Sequence, residues 1–278
     1  MNLVSIIIPI YNRHKHANRA VQSVLDQKHQ NWELFLIDDN SVEPYLIPEF
    51  CVNIKHKITL LRNETNLGPG LSRQRGLDLA KGDYVCFLDS DDYWKPEFLS
   101  ESLKVHETNP HLAATYCQSE MMDGTLRRRN NVEDAIDDIF YGVVSGVRPW
   151  ATCAIMWKRQ FLGKWNSIRT NQDALFEMNA ALINPQIQII PKILCTIDKG
   201  TGENSVDLVG NKSGNENRFK VLLKSCDLLN AAESYKNKKS ENALWESLFI
   251  YWKKMLRQKD LLLSIKGFIY LMRFYKWK

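Results

Sequence analysis

Four short apolar runs constrain this chain more than any other feature. They read LVSIIIPI from Leu3 to Ile10, WELFLI from Trp32, KITLLRN from Lys57 and DYVCFL from Asp83. Each is rich in β-branched or aromatic residues, and each ends against polar residues, so each predicts a strand. An apolar run without alternation is what a strand buried on both faces requires, and such strands belong to parallel sheets. Helical patterns lie between them. In HANRAVQSVLDQ, the residues Ala17, Ala20, Val21, Val24 and Leu25 recur at helical spacing. Asn66 to Lys81 reads as a loop and a helix stopped by Gly82, and Pro96 opens a further helix at its first turn. The expected class is therefore α/β, a Rossmann-like, mostly parallel central sheet flanked by helices.

The second half is less regular. AATYC and ATCAIMW read as strands, NQDALFEMNAALI as a helix capped near Asn171, and IQIIPKILCTI as paired or broken strands around Pro191. Gly200 to Asn217 is rich in Gly, Asn and Ser and reads as a linker, followed by two or three helices. These divisions give a first half at 1–110, a second half of the same domain at 111–205, and a linker with a helical C-terminal extension at 206–278. In the extension, Leu261, Ile265, Phe268, Met272 and Tyr275 share one helix face, while Lys259, Lys266 and Arg273 share the opposite one. Between Tyr251 and Lys278 stand eight basic residues and one acid, Asp260. Such a helix suits peripheral contact with an anionic membrane through 251–278, or packing on the domain with its basic face in water.

Composition excludes several classes. With 44% hydrophobic and 25% charged residues, the 278-residue chain is globular rather than disordered. Its six cysteines form no CxxC pair, which argues against a zinc ribbon and for small buried hydrophobes in a reducing compartment. None of the six histidines has metal-ligand spacing to another His or acid. The N-terminus lacks the basic region of a signal peptide, and no run reaches the roughly 18 apolar residues of a spanning helix, so a cytoplasmic protein is expected. Net charge is +5, but the basic residues gather in the tail rather than around the strand ends, which argues against a nucleic-acid partner.

Chemistry concentrates where strands end. Asp38 and Asp39 follow one strand, and Asp89, Asp91 and Asp92 follow another. In an open parallel sheet, ligands bind outside the carboxyl ends of the strands, so both groups can converge on one crevice. Adjacent carboxylates repel unless a cation or proton offsets them. Oxygen-only ligation favours Mn²⁺ or Mg²⁺ at Asp91, with help from Asp89, and such ions are commonly shared with phosphates. GxxxxGK[ST] is absent, and GxGxxG is absent after the first strand, which disfavours P-loop NTPases and dinucleotide oxidoreductases. A nucleotide-activated donor with a metal-stabilised leaving group remains, with Arg73 and Arg75 as a candidate clamp. The basic run Arg127 to Arg129 reads as a solvated loop, or as a contact for an anionic acceptor.

The stretches SIIIPIYNR, LFLIDDNS and NLGPGLSRQRGLDLAKGDYVCFLDSDD, in that order, resemble the opening of the family-2 inverting glycosyltransferases of bacterial cell-surface polysaccharide synthesis. The likeness is strong over about the first hundred residues and weak to about residue 205. It implies the GT-A fold and a UDP-sugar donor. It implies that Pro9, Tyr11 and Arg13 line a nucleoside pocket, that Asp39 accepts a hydrogen bond from the base, and that Asp38 supports the same loop. Arg73 is implied near the diphosphate, Ser90 in the nucleotide-binding set, Asp89 at the ribose or metal shell, and Asp91 as the main metal ligand. A general base is implied at Asp173 in TNQDALF, where Gln172 replaces the family's common Glu. Without the resemblance Asp173 reads as a first-turn acid favoured by the helix dipole. Trp94 and Trp150 read either as a sugar-stacking acceptor surface or as core. The stretch Thr196 to Gly200 lacks the family's His, with Asp198 or Lys199 as substitutes.

The acceptor implied is a glycan or lipid-linked glycan of lipopolysaccharide or capsule synthesis at the inner membrane face. A sugar nucleotidyltransferase and a non-catalytic binding module stand as alternatives. The first calls for a Gly-rich basic loop after the first strand, where this chain has Tyr11-Asn12-Arg13. The second is disfavoured by the retained aspartates.

Overall fold

The computed structural model describes residues 2–127, 136–168, 171–198, 212–231 and 237–275. Its centre is an eight-stranded sheet in the order β3-β2-β1-β4-β7-β6-β8-β5. The strands are β1 (Val4–Ile10), β2 (Trp32–Asp38), β3 (Ile58–Arg62), β4 (Tyr84–Phe87), β5 (Tyr93–Trp94), β6 (Ala114–Met121), β7 (Ile155–Lys158) and β8 (Ile187–Ile197). From β3 to β4 every pairing is parallel. Beyond β4 the sheet is mixed: β7 is antiparallel to both β4 and β6, and β6 is parallel to β8.

The continuous apolar runs have a direct cause. Ile6, Ile8 and Ile10 point to one face of β1, where they meet Val21 and Val24 of α1 (His14–Leu25) and Leu99 of α3 (Phe98–Thr108) in one core. Ile7 points to the other face, into a core with Phe87 and with Phe176 of α5 (Gln172–Ile183). Each fully buried isoleucine contributes roughly 1.5–3 kcal/mol to burial. On that second face α2 (Pro69–Leu79) lies so close that a Cβ on Gly76 would meet Ile7 Cγ2 at 2.7 Å.

The C-terminal helices α6 (Lys212–Ala231), α7 (Lys238–Arg257) and α8 (Leu261–Tyr275) extend this second core. Phe219, Leu244, Leu248 and Leu271 are buried in the same cluster as Ile7 and Phe87. Short α4 (Ile139–Val144) joins them: Ser247 donates to Val144 O at 2.5 Å, and Arg218 to Val143 O at 2.6 Å.

Several local expectations change. Helix α6 begins at Lys212, inside the stretch that reads as linker; burial of Phe219, Val221 and Leu222 overrides the weak helix propensity of its Gly and Asn residues. Of that stretch, residues 200–211 lie outside those described. Gly82 is not a helix stop, since α2 ends at Leu79 with extended Ala80 at its cap. A Cβ on Gly82 would instead meet Leu3 O at 2.7 Å, so glycine lets this loop lie against the start of β1. Pro96 precedes α3 rather than opening it. β8 runs unbroken through Pro191, and the irregularity appears as a register shift beside Cys117 and Gln118 of β6. Of ATCAIMW only Ile155 to Trp157 is strand; Thr152–Ala154 is a 3-10 turn. Asn171 precedes α5 in the left-handed region, φ 55°, and makes no side-chain cap. All six cysteines are buried and free.

Candidate functional site

The parallel half of the sheet sets three strand ends side by side. Ile10 of β1 is in register with Asp38 of β2, Ile7 with Phe87 of β4, and Asp39 N–H donates to Ile10 O at 2.8 Å. The chain leaves β1 through Tyr11, Asn12 and Arg13, with Asn12 left-handed at φ 54°. Asn12 accepts from Val42 N–H at 2.8 Å and its own N–H donates to Ser41 Oγ at 3.0 Å, tying this loop to the one after β2.

Asp38 and Asp39 hold that second loop. Asp38 is 1% exposed and accepts from Ser41 N–H, Tyr45 N–H and the Arg62 guanidinium. Burial alone would raise its pKa, but those donors overcome it and keep the carboxyl below the ordinary range. Asp39 is as buried. It accepts from Leu67 N–H at 2.9 Å, Gly68 N–H at 2.8 Å and Asn63 Nδ2 at 2.7 Å. Gly68, at φ 86°, lets the chain turn there into α2. Arg75 bonds Arg62 O and Asn63 Oδ1, behind Asp39. It is therefore no part of a clamp with Arg73. Pro9 is buried within β1 opposite Ile37 and offers no open surface, whereas Tyr11 is half exposed.

The carboxylates after β4 meet guanidinium groups. Arg13 pairs with Asp91, and Arg73 pairs with Asp89. Arg19 on α1 donates to Asp91 O at 2.5 Å and pairs with Asp198 Oδ2 at 2.7 Å. Burial raises the pKa of Asp91, the charges on Asp89 and Asp198 raise it further, and Arg13 only partly opposes them. Asp92 is buried beneath, accepts from Asp198 N–H at 3.0 Å, and is pushed well above the ordinary range by burial and by Asp89 and Asp91. Ser90 between them is buried.

This donor set fits a divalent cation bound together with phosphate. Asp89 and Asp91 offer carboxylate oxygens, and at Asp91 Arg13 only partly offsets burial and the neighbouring negative charge. Among the described residues no group of three or more His, Cys, Asp or Glu is arranged to hold an ion unaided. An ion at Asp89 and Asp91 would need further oxygen ligands, which Mg²⁺ sites commonly take from water and substrate phosphates. Buried Arg73 Nε and Arg19 Nε have no hydrogen-bond partner, which leaves donors for an anion beside the carboxylates.

Asp173 reaches the same region from the second half. A Cβ on Gly70 would meet Asn166 O at 2.6 Å and would also strike Gln172, so this glycine brings the starts of α2 and α5 together. The Arg73 charge is felt at Asp173. Arg73 also lies over the Trp165 ring, 4.8 Å from its centroid. Arg148 donates to Asp173 at 2.5 Å and pairs with Glu177 at 3.5 Å, one turn further along α5. Burial would raise the Asp173 pKa; Arg148 outweighs it and holds the carboxyl low. Glu177 is raised to about 7, first by burial and then by Asp173.

The two tryptophans are core. Trp94 is 3% exposed, stacked on Phe98 at 4.4 Å, with its indole N–H donating to Cys153 O. Trp150 is fully buried and donates to Glu177 Oε2 at 3.1 Å. Neither offers a face to a sugar, because each ring fills space between the sheet and a helix. Arg127 donates to Pro149 O at 3.1 Å; Arg128 and Arg129 lie outside the described residues, as do Thr170 and Lys199.

A family model described as Glycosyl transferase family 2 matches residues 5–169, which holds Asp39, Arg73, Asp89 and Asp91. The chain belongs to this family. Among curated proteins it is 39% identical over 117 residues to an uncharacterized glycosyltransferase of Haemophilus influenzae, covering 42% of this chain and 46% of that one. It is 40% identical over 103 residues to a putative teichuronic acid biosynthesis glycosyltransferase, TuaG, of Bacillus subtilis, covering 37% and 41%. Against an amylovoran biosynthesis glycosyltransferase, AmsB, of Erwinia amylovora, identity is 35% over 106 residues, covering 37% and 35%. The matches thus span less than half the length of these relatives. In structure the chain is similar to S. aureus TarS 1-349 in complex with UDP-GlcNAc, with TM-score 0.72, 19% identity, and coverage of 99% and 80%. It is also similar to a Pyrobaculum calidifontis mannosyltransferase in complex with GDP-Man and Mn2+, with TM-score 0.62, 14% identity, and coverage of 97% and 74%. The fold is GT-A, as the family-2 resemblance implied.

Three charged residues of this candidate site carry no motif in the sequence. Arg19 is hidden on an ordinary amphipathic helix, Arg148 in a loop, and Glu177 inside a helix. For Glu177 one signal was available: an acid one turn after Asp173 in an otherwise apolar helix needs a buried cation.

Proposed function

We propose that this chain is a metal-assisted inverting glycosyltransferase. It takes a sugar from a UDP-sugar and joins it to a hydroxyl of a glycan or lipid-linked glycan in lipopolysaccharide or capsule assembly. The observation that carries this reading is the meeting of Asp89 and Asp91 with Arg13 and Arg73 where β1 and β4 end. Carboxylates for a cation and guanidiniums for phosphate are then in one place. The UDP-GlcNAc complex named for TarS supports the donor class, and the biosynthetic names of the relatives support a polysaccharide acceptor. We read the site of action as cytoplasmic, at or near the inner face of the plasma membrane. Among the described residues no helix is long and apolar enough to cross a membrane.

Tyr11 and the loop held by Asp38 and Asp39 receive the nucleoside, while Pro9 and Ser90, both buried, hold the strand ends that carry this pocket. Asp91 and Asp89 would hold Mn²⁺ or Mg²⁺, and the ion would supply positive charge to offset that of the departing diphosphate. As the donor enters, Arg13 and Arg73 exchange carboxylate for phosphate oxygens. The acceptor hydroxyl attacks the anomeric carbon on the face opposite the diphosphate. The new C–O bond forms as the sugar–phosphate C–O bond breaks. The hydroxyl proton passes to Asp173, the nucleoside diphosphate leaves with the bonding electron pair, and the configuration inverts. Arg148 keeps Asp173 ionised until that moment.

A turnover screen over UDP-sugars, with Asp91→Ala beside the native chain, tests this. Loss of both nucleotide affinity and turnover is expected in the variant. Intact affinity and turnover in Asp91→Ala overturn the reading.

A further inference from the structure

Helix α8 turns its more apolar side outward. The sequence pattern assigns Leu261, Ile265, Phe268 and Met272 to one face, and packing on the domain is the usual fate of such a face. The structure does the reverse. Leu261, Leu262, Ile265, Phe268, Ile269 and Met272 are exposed, at 46–79%. At 100° per residue these six fill one arc of about 120°. The opposite arc holds Ser264, Gly267, Tyr270 and Leu271, which are buried. Glycine matters on that inner arc: a Cβ on Gly267 would meet Trp252 Cδ1 at 3.1 Å and would clash with Phe219. The helix is therefore seated by its small and polar side, with Trp252 Nε1 donating to Ser264 O at 2.9 Å and Tyr270 to Asp227 at 2.5 Å.

Exposed basic residues directly precede this ridge in the chain, and one borders it. Lys253, Arg257 and Lys259 are exposed at the end of α7 and in the turn that follows it, and Lys266 is exposed at the border of the apolar arc. Leu256, 47% exposed, adds to the apolar surface. The only acid of this segment, Asp260, accepts from Leu263 N–H at 3.0 Å and so serves to cap α8. At 15 residues α8 is about 22 Å long, short of the roughly 30 Å hydrocarbon layer.

We infer that the outward face of α8 is an interfacial helix that seats this protein on an anionic lipid surface. The helix lies in the membrane plane, with its six apolar side chains among the acyl chains and Lys266, with Arg257 and Lys259 before it, at the headgroups. Charge selects the bilayer over a second copy of the chain. Two copies meeting on this face would bring identical basic rims together, whereas anionic headgroups neutralise them. The inference does not depend on the transfer chemistry, and its readout is separate from turnover.

The test is sedimentation with vesicles of phosphatidylcholine alone and of phosphatidylglycerol mixed with phosphatidylcholine. The full chain is compared with Leu262→Glu/Ile265→Glu and with Lys266→Glu, each checked for an unchanged melting temperature. The native chain is expected to pellet with the anionic vesicles and to be released as salt rises. The double variant should bind roughly tenfold or more weakly, and Lys266→Glu roughly fivefold or more weakly on anionic vesicles only. Equal binding by native chain and double variant overturns the inference, as does failure of the native chain to pellet. So does a native dimer in analytical ultracentrifugation that the double variant dissolves without any vesicle binding; that outcome assigns the face to a second copy.

Discussion

Arg148 donates from Nη1 to Asp173 Oδ2 at 2.5 Å, joining a loop to the first turn of α5. The same guanidinium lies 3.5 Å from Glu177, so one cation serves two carboxylates. This arrangement makes Asp173 an ionised carboxylate at neutral pH and leaves Glu177 close to its titration point.

Replacing Asp173 by Asn should lower kcat by roughly 10²–10⁴-fold with little change in donor KM, because only proton removal in the transition state is lost. Arg148 acts through Asp173. In Arg148→Gln the Asp173 pKa rises toward the ordinary range, and the acid limb of the kcat profile moves to higher pH. Arg148→Lys keeps a positive charge and should hold the limb near its native position. Steady-state rates across pH check both; an unmoved limb in Arg148→Gln contradicts the role given to this pair.

Glu177 makes a stability prediction with a defined sign. Unfolded, it releases its proton near 4.5; folded, it does so at about 7. Between those values the native state binds the extra proton, so this residue's contribution to stability falls as pH rises through the window. Glu177→Gln fixes the neutral form. Its melting temperature should gain on the native chain as pH rises from 5 to 8, and thermal melts along that series measure the trend.

Trp150 is expected to matter for folding rather than for acceptor binding. Its ring is so closely packed that a Cβ on Gly142 would meet Cη2 at 2.5 Å. Trp150→Ala should cost about 3–5 kcal/mol in denaturant unfolding. Trp150→Phe should lose mainly the hydrogen bond to Glu177, about 1–3 kcal/mol, and leave acceptor KM unchanged.

Gly70 sets the approach of α2 to α5, and Gly70→Ala should destabilise by roughly 1–3 kcal/mol. Because the same contact brings Asp173 toward Arg73, kcat should fall more than donor affinity does. Unfolding and kinetics on the one variant separate the two effects.

Much of this was legible in the residues, and the exceptions have physical reasons. The strands stood out because Ile6, Ile7 and Ile8 are buried on alternate faces, and only a two-sided sheet tolerates such a run. The carboxylates after β2 and β4 stood out because their charge is crowded at strand ends. Arg148 did not, since nothing local marks a loop arginine whose partner lies 25 positions away. The tryptophans were ambiguous because a ring that stacks on a sugar and one that fills a core look alike in sequence. The start of α6 was missed because its Gly and Asn residues speak for a loop, while the contacts that stabilise it come from Phe219 against distant helices. The ridge on α8 was visible as a stripe, but which side faces the protein depends on Gly267 meeting Phe219.

The central claim is that the carboxylates at 89 and 91 exist to complete a site with a cation and a nucleoside diphosphate. Calorimetric titration with UDP, GDP, dTDP and CMP, first with Mn²⁺ and then with EDTA, tests it most directly. The account predicts UDP binding that disappears with EDTA and is absent from Asp91→Ala. Absence of nucleotide binding under either condition would contradict it.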